Sequence, residues 1–380
     1  MHAPWKIVFF LLPPTIRDYT SGRVCRKRRT QDRLDVMSGF ALVGCGRIAE
    51  KHLKLLAEEH VRDAKLVAVC DILPRVARET GERFDVPWFT DMHEMMREMG
   101  GQIDIVSILT ESGNHAAHCL ALAPYGKHIL VEKPMALSVA DADAMIAACD
   151  AANVRLFVVK QNRYNLPVRK LMEAHSQGRF GKLVMGTVRV RWCRTQAYYD
   201  QAPWRGTHAL DGGVFANQAS HHIDLLQWFL GKPVSVIAKA RTALVDIEAE
   251  DTGAAIITFE SGAIGVIEAT TAARPKDTEG SLSILGEKGL VEIAGFAVNK
   301  MRTWNFAQPL AEDADVVANF FEDPPDVYGF GHIAYLNHVV DAIRERKPSL
   351  VDGSEGKKSL ELICAIYESV RSGREIQLPR

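Results

Sequence analysis

"FALVGCGRIAEKHLKLLA", residues 40–57, decides how the rest of the chain is read. An apolar run from Phe40 to Val43 reaches Gly44 and Gly46, and a stretch with Ala49, Leu53 and Leu56 at helical spacing follows. Strand, glycine turn and helix is the context a G-x-G-x-x-A motif needs. The first glycine permits a tight turn, the second lets backbone approach a pyrophosphate, and a small third residue lets helix pack on strand. The helix entry at Arg47 and Ile48 favours negative charge beside it. Asp71 ends a second strand, "VAVCD", 25 residues after Gly46. A carboxylate there accepts hydrogen bonds from ribose hydroxyls and repels a 2′-phosphate, so NAD is favoured over NADP, with Arg75 nearby tempering that preference.

The runs "FALV", "KLVAVC", "IDIVSIL", "HILV" and "RLFVV" alternate with helical patterns, which predicts an α/β fold beginning with a doubly wound parallel sheet. This NAD-binding Rossmann domain is expected over residues 38–160. "LTESGNHA" follows one strand at the carboxyl edge, where ligands bind, and offers Thr110, Ser112, Asn114 and His115. "HILVEKPMALS" ends another strand with Glu132, Lys133 and Pro134. A lysine at the end of a buried strand is costly without a partner or a task. The proline holds it out of helical geometry, so it is either a surface ion pair or a group aimed into the crevice.

Beyond Lys160 the pattern changes to long strands, among them "KLVMGTVRVRW", "VSVIAKARTAL", "TGAAIITF", "AIGVIEATT" and "GSLSILG". Hairpin turns at "FESGAIG" and "LGEKGLV" predict a large, mostly antiparallel open sheet in an α/β domain over residues 161–380. Two domains suit 380 residues that are 47% hydrophobic. A net charge of −1 with dispersed basic residues carries no nucleic-acid footprint. Seven cysteines with no C-x-x-C pair suit a reduced, cytoplasmic protein. Residues 1–37 are expected to be a poorly ordered leader outside the fold, with "MSGFALVGCG" resembling a natural start. Their apolar run, "IVFFLL", is too short to span a membrane.

"NQASHHIDLL", residues 217–226, gathers polar groups within an apolar pattern. At about 100° per residue, Asn217, His221, Asp224 and Trp228 share a face, opposite Ala219, Ile223, Leu226 and Leu230. His222 points away from His221 and is expected to pack against Phe229 and Leu226. Two histidines on different faces, with neither H-E-x-x-H nor E-x-x-H spacing, argue against a metal and for His221 as a proton carrier.

The glycine motif, "EKP", "WRG" at 204–206 and the glycine pair before "NQASHHIDLL" together resemble the Gfo/Idh/MocA oxidoreductases, from about Gly39 to the end. "VVKQNRYN", "YYDQAPWRGT" and "GSLSILGEKG" resemble one branch more closely, the UDP-N-acetylglucosaminuronic acid 3-dehydrogenases of bacterial surface-polysaccharide synthesis. The resemblance implies a homodimer or homotetramer, a nucleotide-sugar substrate, Lys133 near nicotinamide and substrate, and His221 as acid/base. It places Trp204 and Arg205 with Glu132 and Lys133 near the nicotinamide, and Lys133, Asn217 and His221 at the sugar; Arg163 and Asn165, which follow the last Rossmann strand, are candidates for cofactor or sugar, and Tyr199 for the substrate. Asn217 stands where many members carry aspartate, and an amide orients a neighbour without holding charge. Tyr198, Arg274 and Lys276 are further candidates for binding phosphate or carboxylate. Oxidation of a secondary alcohol follows, with His221 as base and Lys133 steadying the alkoxide. The same fold also serves inositol- or glucose-type dehydrogenases and non-catalytic NAD-binding regulators.

Overall fold

Strands that are apolar on both faces can be buried only between two layers of helix. A computed structural model describes residues 37–324 and 326–378, and the expectation for the leader lies outside them. Strands β1 (Ser38–Val43), β2 (Ala64–Cys70), β3 (Trp88–Phe89), β4 (Ile105–Ile108), β5 (His128–Val131) and β6 (Leu156–Val158) form a parallel sheet in the order β3-β2-β1-β4-β5-β6. The order reverses between β1 and β4, which opens a crevice at their carboxyl ends. Phe40 and Leu42 pack on one face with Leu53, Leu56, Tyr335 and Val339. Ala41 and Val43 pack on the other with Cys119, Met145 and Leu360. The chain therefore returns at its end. Helix Gly331–Arg344 covers the first sheet, and helix Gly353–Ser372 contributes Leu360 to this core and Leu362, Ile363 and Ile366 to the next.

A second sheet holds β7 (Leu183–Arg191), β8 (Pro233–Arg241), β9 (Thr252–Phe259), β10 (Ile264–Thr270), β11 (Glu279–Gly286), β12 (Gly289–Ala294), β13 (Lys300–Phe306) and β14 (Ile376–Gln377). Its order is β13-β12-β11-β7-β10-β9-β8-β14, antiparallel except where β10 runs parallel to β7. Both expected hairpins are present, β9 to β10 and β11 to β12. The sequence pattern did not reveal β13. Its pairing with β12 skips a residue, Glu292 facing Thr303 and Ile293 facing Met301, so Met301 and Trp304 both turn inward and the two-residue period is lost. One face of this sheet is covered by helices Leu166–Ser176, Ser220–Leu230 and Gly353–Ser372. Among the described residues, no helix is long and apolar enough to cross a membrane.

His222 illustrates how tightly this second core is closed. Its ring stands edge-on to Trp192 with centroids 5.7 Å apart, and neither ring nitrogen has a hydrogen-bond partner. It lies against Trp192 and the backbone at Gly280, where a Cβ would come 2.4 Å from the Phe296 carbonyl oxygen and 3.0 Å from Nε2.

Burial pushes the His222 imidazole down to about 3 from the usual 6.5, so it is neutral in the fold. Its contribution is complete above the unfolded value and is lost as pH falls toward the folded one. The unfolded chain gains one proton there that the fold refuses, worth about 1.4 kcal/mol per pH unit. His222→Leu should therefore flatten the loss of unfolding free energy between pH 5.5 and 4.5 by about that slope. Urea titrations at several pH values would measure it, and an unchanged slope would refute the buried neutral ring.

Candidate active site

Backbone geometry at the carboxyl edge of the first sheet creates the site. Gly44 has φ of +93°, and a Cβ there would lie 2.9 Å from the Leu109 carbonyl carbon, so the turn and its packing both exclude a side chain. Gly46 differs, because a Cβ there would meet nothing within 4 Å. Protein packing gives no reason for glycine at 46, so the space beside it belongs to whatever enters the cleft. Ala49, fully buried, lets the helix Ala49–Ala57 lie close to the sheet.

That cleft encloses about 680 Å³. Gly44, Gly46, Arg47, Ile48, Asp71, Thr110, Ser112, Glu132, Lys133, Trp204, Arg205 and Asn217 all line it. Asp71 holds its own turn and the glycine loop, accepting from the Leu73 amide at 2.9 Å and the Cys45 amide at 2.8 Å. Ile72 and Leu73 are exposed apolar groups on the same wall. Arg75 does not line the cleft and pairs with Glu79 at 3.0 Å. Tyr198 and Tyr328 also line it, and Arg205 lies between Tyr198 and Trp204, 4.4 and 4.6 Å from their centroids. The cleft thus offers a glycine cradle, an acidic group where a ribose would lie, and an aromatic-clamped guanidinium.

Lys133 marks the meeting of the two sheets. Its ammonium donates to the backbone carbonyl of Asn217 at 2.7 Å. Burial lowers its proton affinity, opposed by the charges of Glu132 and Asp211. Glu132 is fixed from behind, with Oε1 3.1 Å from His52 Nε2 and Oε2 accepting the Lys133 amide at 3.0 Å. Burial alone would raise the Glu132 carboxyl, but the His52 bond and neighbouring positive charge outweigh it and hold it at about 2. His332, from the returning helix, completes the cluster with Nε2 4.0 Å from Glu132 Oε1. His52, Glu132 and His332 have the donor types of a metal site, with ligand atoms within 4.8 Å of one another. The His52–Glu132 contact is already a hydrogen bond, which gives the cluster a bracing task behind the lysine.

Asn217 does not belong to the helix that bears His221. Residues Val214–Gln218 form a π-turn, with the Ala219 amide bonded to the Val214 carbonyl at 2.8 Å, and the α-helix starts at Ser220. A helical wheel at constant pitch therefore fails across this junction. Gly212 and Gly213, with φ of +89° and +80°, admit the chain into the turn. Glu250 Oε2 would lie 2.2 Å from a Cβ at 213. His221 is 8% exposed, does not line the cleft, and is held well below its usual value by burial and then by the charges of Lys133 and Lys160. The neutral ring is the form that can accept a proton.

Several other residues singled out in the sequence are brought not to the cleft but to the joints around it. Arg163 grips Asp224 through Nε and Nη2, both at 2.8 Å, and reaches Glu355 at 3.1 Å. Lys160 joins the same carboxylate at 3.1 Å. Asn165 donates to the Ala297 carbonyl at 3.0 Å, and Tyr199 meets the Thr271 hydroxyl at 3.1 Å. His115 lies between the carbonyls of Pro134, at 2.8 Å, and Thr110, at 3.1 Å, and the single N–H of the neutral ring donates to one of them. Arg274 and Lys276 do not line the cleft. His52, His332 and Asp211 are absent from the expectations drawn from the sequence. His52 sits one turn past Ala49 on the glycine-loop helix and Asp211 abuts the glycine pair, and those placements were the available signals.

Residues 38–160 match the family model described as "Oxidoreductase family, NAD-binding Rossmann fold", and residues 173–378 its "C-terminal alpha/beta domain". The chain is similar to the WlbA dehydrogenase of Bordetella pertussis, solved in complex with NADH and UDP-GlcNAcA. The identity is 41%, covering 90% of this chain and 99% of that one, with a TM-score of 0.83. The WlbA dehydrogenase of Chromobacterium violaceum, solved with the same two molecules, is 41% identical over 94% of this chain and 99% of its own, with a TM-score of 0.84. The myo-inositol 2-dehydrogenase of Thermotoga maritima is 27% identical, covering 89% of this chain and 98% of that protein.

Asp224 is enclosed between two cations, and its removal would leave Lys160 without a carboxylate and Arg163 with Glu355 alone. Asp224→Asn should cost about 3–5 kcal/mol of unfolding free energy. Chemical denaturation would measure it, and a loss under about 1 kcal/mol would show that the network carries little of the joint between the two sheets.

Proposed function

The chain belongs to the Gfo/Idh/MocA oxidoreductase family and is an NAD-dependent dehydrogenase of sugars or polyols, and from that premise we propose that it oxidises C3 of UDP-N-acetylglucosaminuronic acid. The observation that carries this reading is Lys133, on the wall of the glycine-loop cleft with its ammonium 2.7 Å from the Asn217 carbonyl. Relatives solved with this nucleotide sugar share 41% of their residues with the chain, against 27% for the inositol enzyme. Arg205, clamped between aromatic rings in the cleft wall, suits a substrate that carries carboxylate and diphosphate. Cys45, Cys70, Cys119, Cys149 and Cys193 are thiols, in keeping with a cytoplasmic setting for the synthesis of a surface-polysaccharide precursor.

The glycine cradle, the Arg47 and Ile48 helix entry and Asp71 would hold NAD, with Arg75 paired to Glu79 outside the cleft lining and Asp71 set to repel a 2′-phosphate. Thr110 and Ser112 form the wall beside them. NAD, when bound, supplies the acceptor for the hydrogen leaving carbon with its electron pair. Neutral His221, behind the cleft wall but near enough to Lys133 to be acted on by its charge, is assigned the hydroxyl proton, while the Lys133 ammonium donates to the oxygen as negative charge develops on it. Glu132 fixes the Lys133 backbone, and the π-turn carbonyl fixes its tip.

A second copy of the chain is proposed to cover the open face of the second sheet. Ile237 pairs with Ile256, and Ile264 with Met185, which in turn faces Leu285. All five are exposed and lie on one face, forming an apolar patch unlike a solvated surface. Light scattering should report a homodimer or homotetramer, and Ile256→Lys should reduce the mass. A monomeric wild-type protein at micromolar concentration would contradict this assembly.

Substrate is tested by NADH formation on UDP-N-acetylglucosaminuronic acid, UDP-N-acetylglucosamine, myo-inositol and glucose. Turnover should be confined to the first, and turnover on inositol alone would move the chain to the inositol group. His221→Ala and Lys133→Ala should each lower kcat by about a hundredfold or more while NAD affinity changes little. Activity of His221→Ala within tenfold of wild type would remove the histidine from the chemistry.

A further inference from the structure

A half-buried ammonium is steadied by nearby negative charge, and the adjacent carboxylate of Glu132 already has hydrogen-bond partners of its own. Glu132 is bound to His52 and to the Lys133 amide, and its charge acts on the ammonium without a hydrogen bond to it. The atom that receives the ammonium is a neutral backbone carbonyl, that of Asn217. The Asn217 side chain leads to a carboxylate. Its amide nitrogen donates to Asp211 Oδ1, and its amide oxygen accepts from Gln218 Nε2 at 2.9 Å. Asp211 Oδ2 accepts from the Gly206 amide at 2.7 Å, and the residue is 3% exposed. Asp211 therefore joins the loop bearing Trp204 and Arg205 to the turn that holds Lys133.

We propose that Asp211 is a positioning residue whose charge, held by the Asn217 side chain beside the carbonyl that receives the lysine tip, joins that of Glu132 in keeping Lys133 protonated and directed at the reacting oxygen. The groups whose charges act on the ammonium are Glu132, Asp211, Arg194 and Lys160, with both carboxylates favouring the charged form and both cations opposing it. Of the two carboxylates, Asp211 is hydrogen-bonded to the residue that receives the lysine tip. Its own carboxyl is raised by burial, opposed by the Gly206 amide and the Lys133 charge, so each ion of the pair supports ionisation of the other.

The inference rests on the proposed reading only for turnover, and its decisive test needs no substrate. The pH dependence of Lys133 acylation by an amine-selective reagent, read by peptide mass spectrometry on the full chain, reports how firmly the proton is held. Asp211→Asn should raise Lys133 labelling at pH 8 at least threefold, and moving the charge in the double variant Asp211→Asn/Asn217→Asp should restore the wild-type rate. A structural role alone would not be rescued by an acid at 217. Should Asp211→Asn fail to fold, Asn217→Asp alone must slow labelling at least twofold. Unchanged labelling in a folded single variant, or a double variant no closer to wild type than Asp211→Asn, would overturn the proposal. On an accepted substrate, kcat should fall at least tenfold in Asp211→Asn and recover in the double variant. Failure of every sugar with labelling as expected would discard the substrate and leave Asp211 in place.

Discussion

One hydrogen bond holds the site together: the Lys133 ammonium on the Asn217 carbonyl, between residues 84 positions apart. It ties the end of β5 to a turn that precedes a helix of the second sheet. A neutral carbonyl holds a half-buried ammonium best where negative charge is supplied nearby. Other features of the site follow from that requirement. The glycine pair and Glu250 shape the π-turn that presents the carbonyl, and Tyr367 bonds to Glu250 at 2.8 Å from the long C-terminal helix.

The same constraint explains why the C-terminal segment returns to the first sheet. Helix Gly331–Arg344 brings His332 to Glu132, and the carboxylate that fixes Lys133 is thereby enclosed by both ends of the chain. Asp224, a single turn beyond His221, does the same for the second sheet, anchored by Lys160 and Arg163 from the segment after β6. Catalytic geometry requires groups held to within a fraction of an ångström, which charged joints between packed elements provide better than exposed loops.

Much of this was legible in the chain. The glycine motif, Asp71 and the E-K-P lysine announced the cleft, because strand ends and tight turns leave local signatures. Less visible was the division of labour among polar residues. Arg163, Asn165 and Tyr199 have the chemistry of binding residues, yet each is satisfied by a partner distant in sequence, and only tertiary packing reveals that. Asn217 and His221 looked like one helical face because a wheel assumes constant pitch, whereas the π-turn shifts the first relative to the second. β13 escaped because its skipped residue puts Met301 and Trp304 on the same side. His52 and Asp211 gave only the weak signal of their places beside Ala49 and the glycine pair, since their roles depend on Glu132 and Asn217 lying beside them.

The central claim is that the hydrogen removed from the sugar comes from C3 within this cleft. The direct measurement is turnover of UDP-N-acetylglucosaminuronic acid carrying deuterium at C3, with the product NADH analysed by mass spectrometry. The account predicts that one deuterium appears in NADH and that the rate of the chemical step falls. NADH formed without deuterium would place the oxidation at another carbon and contradict the account.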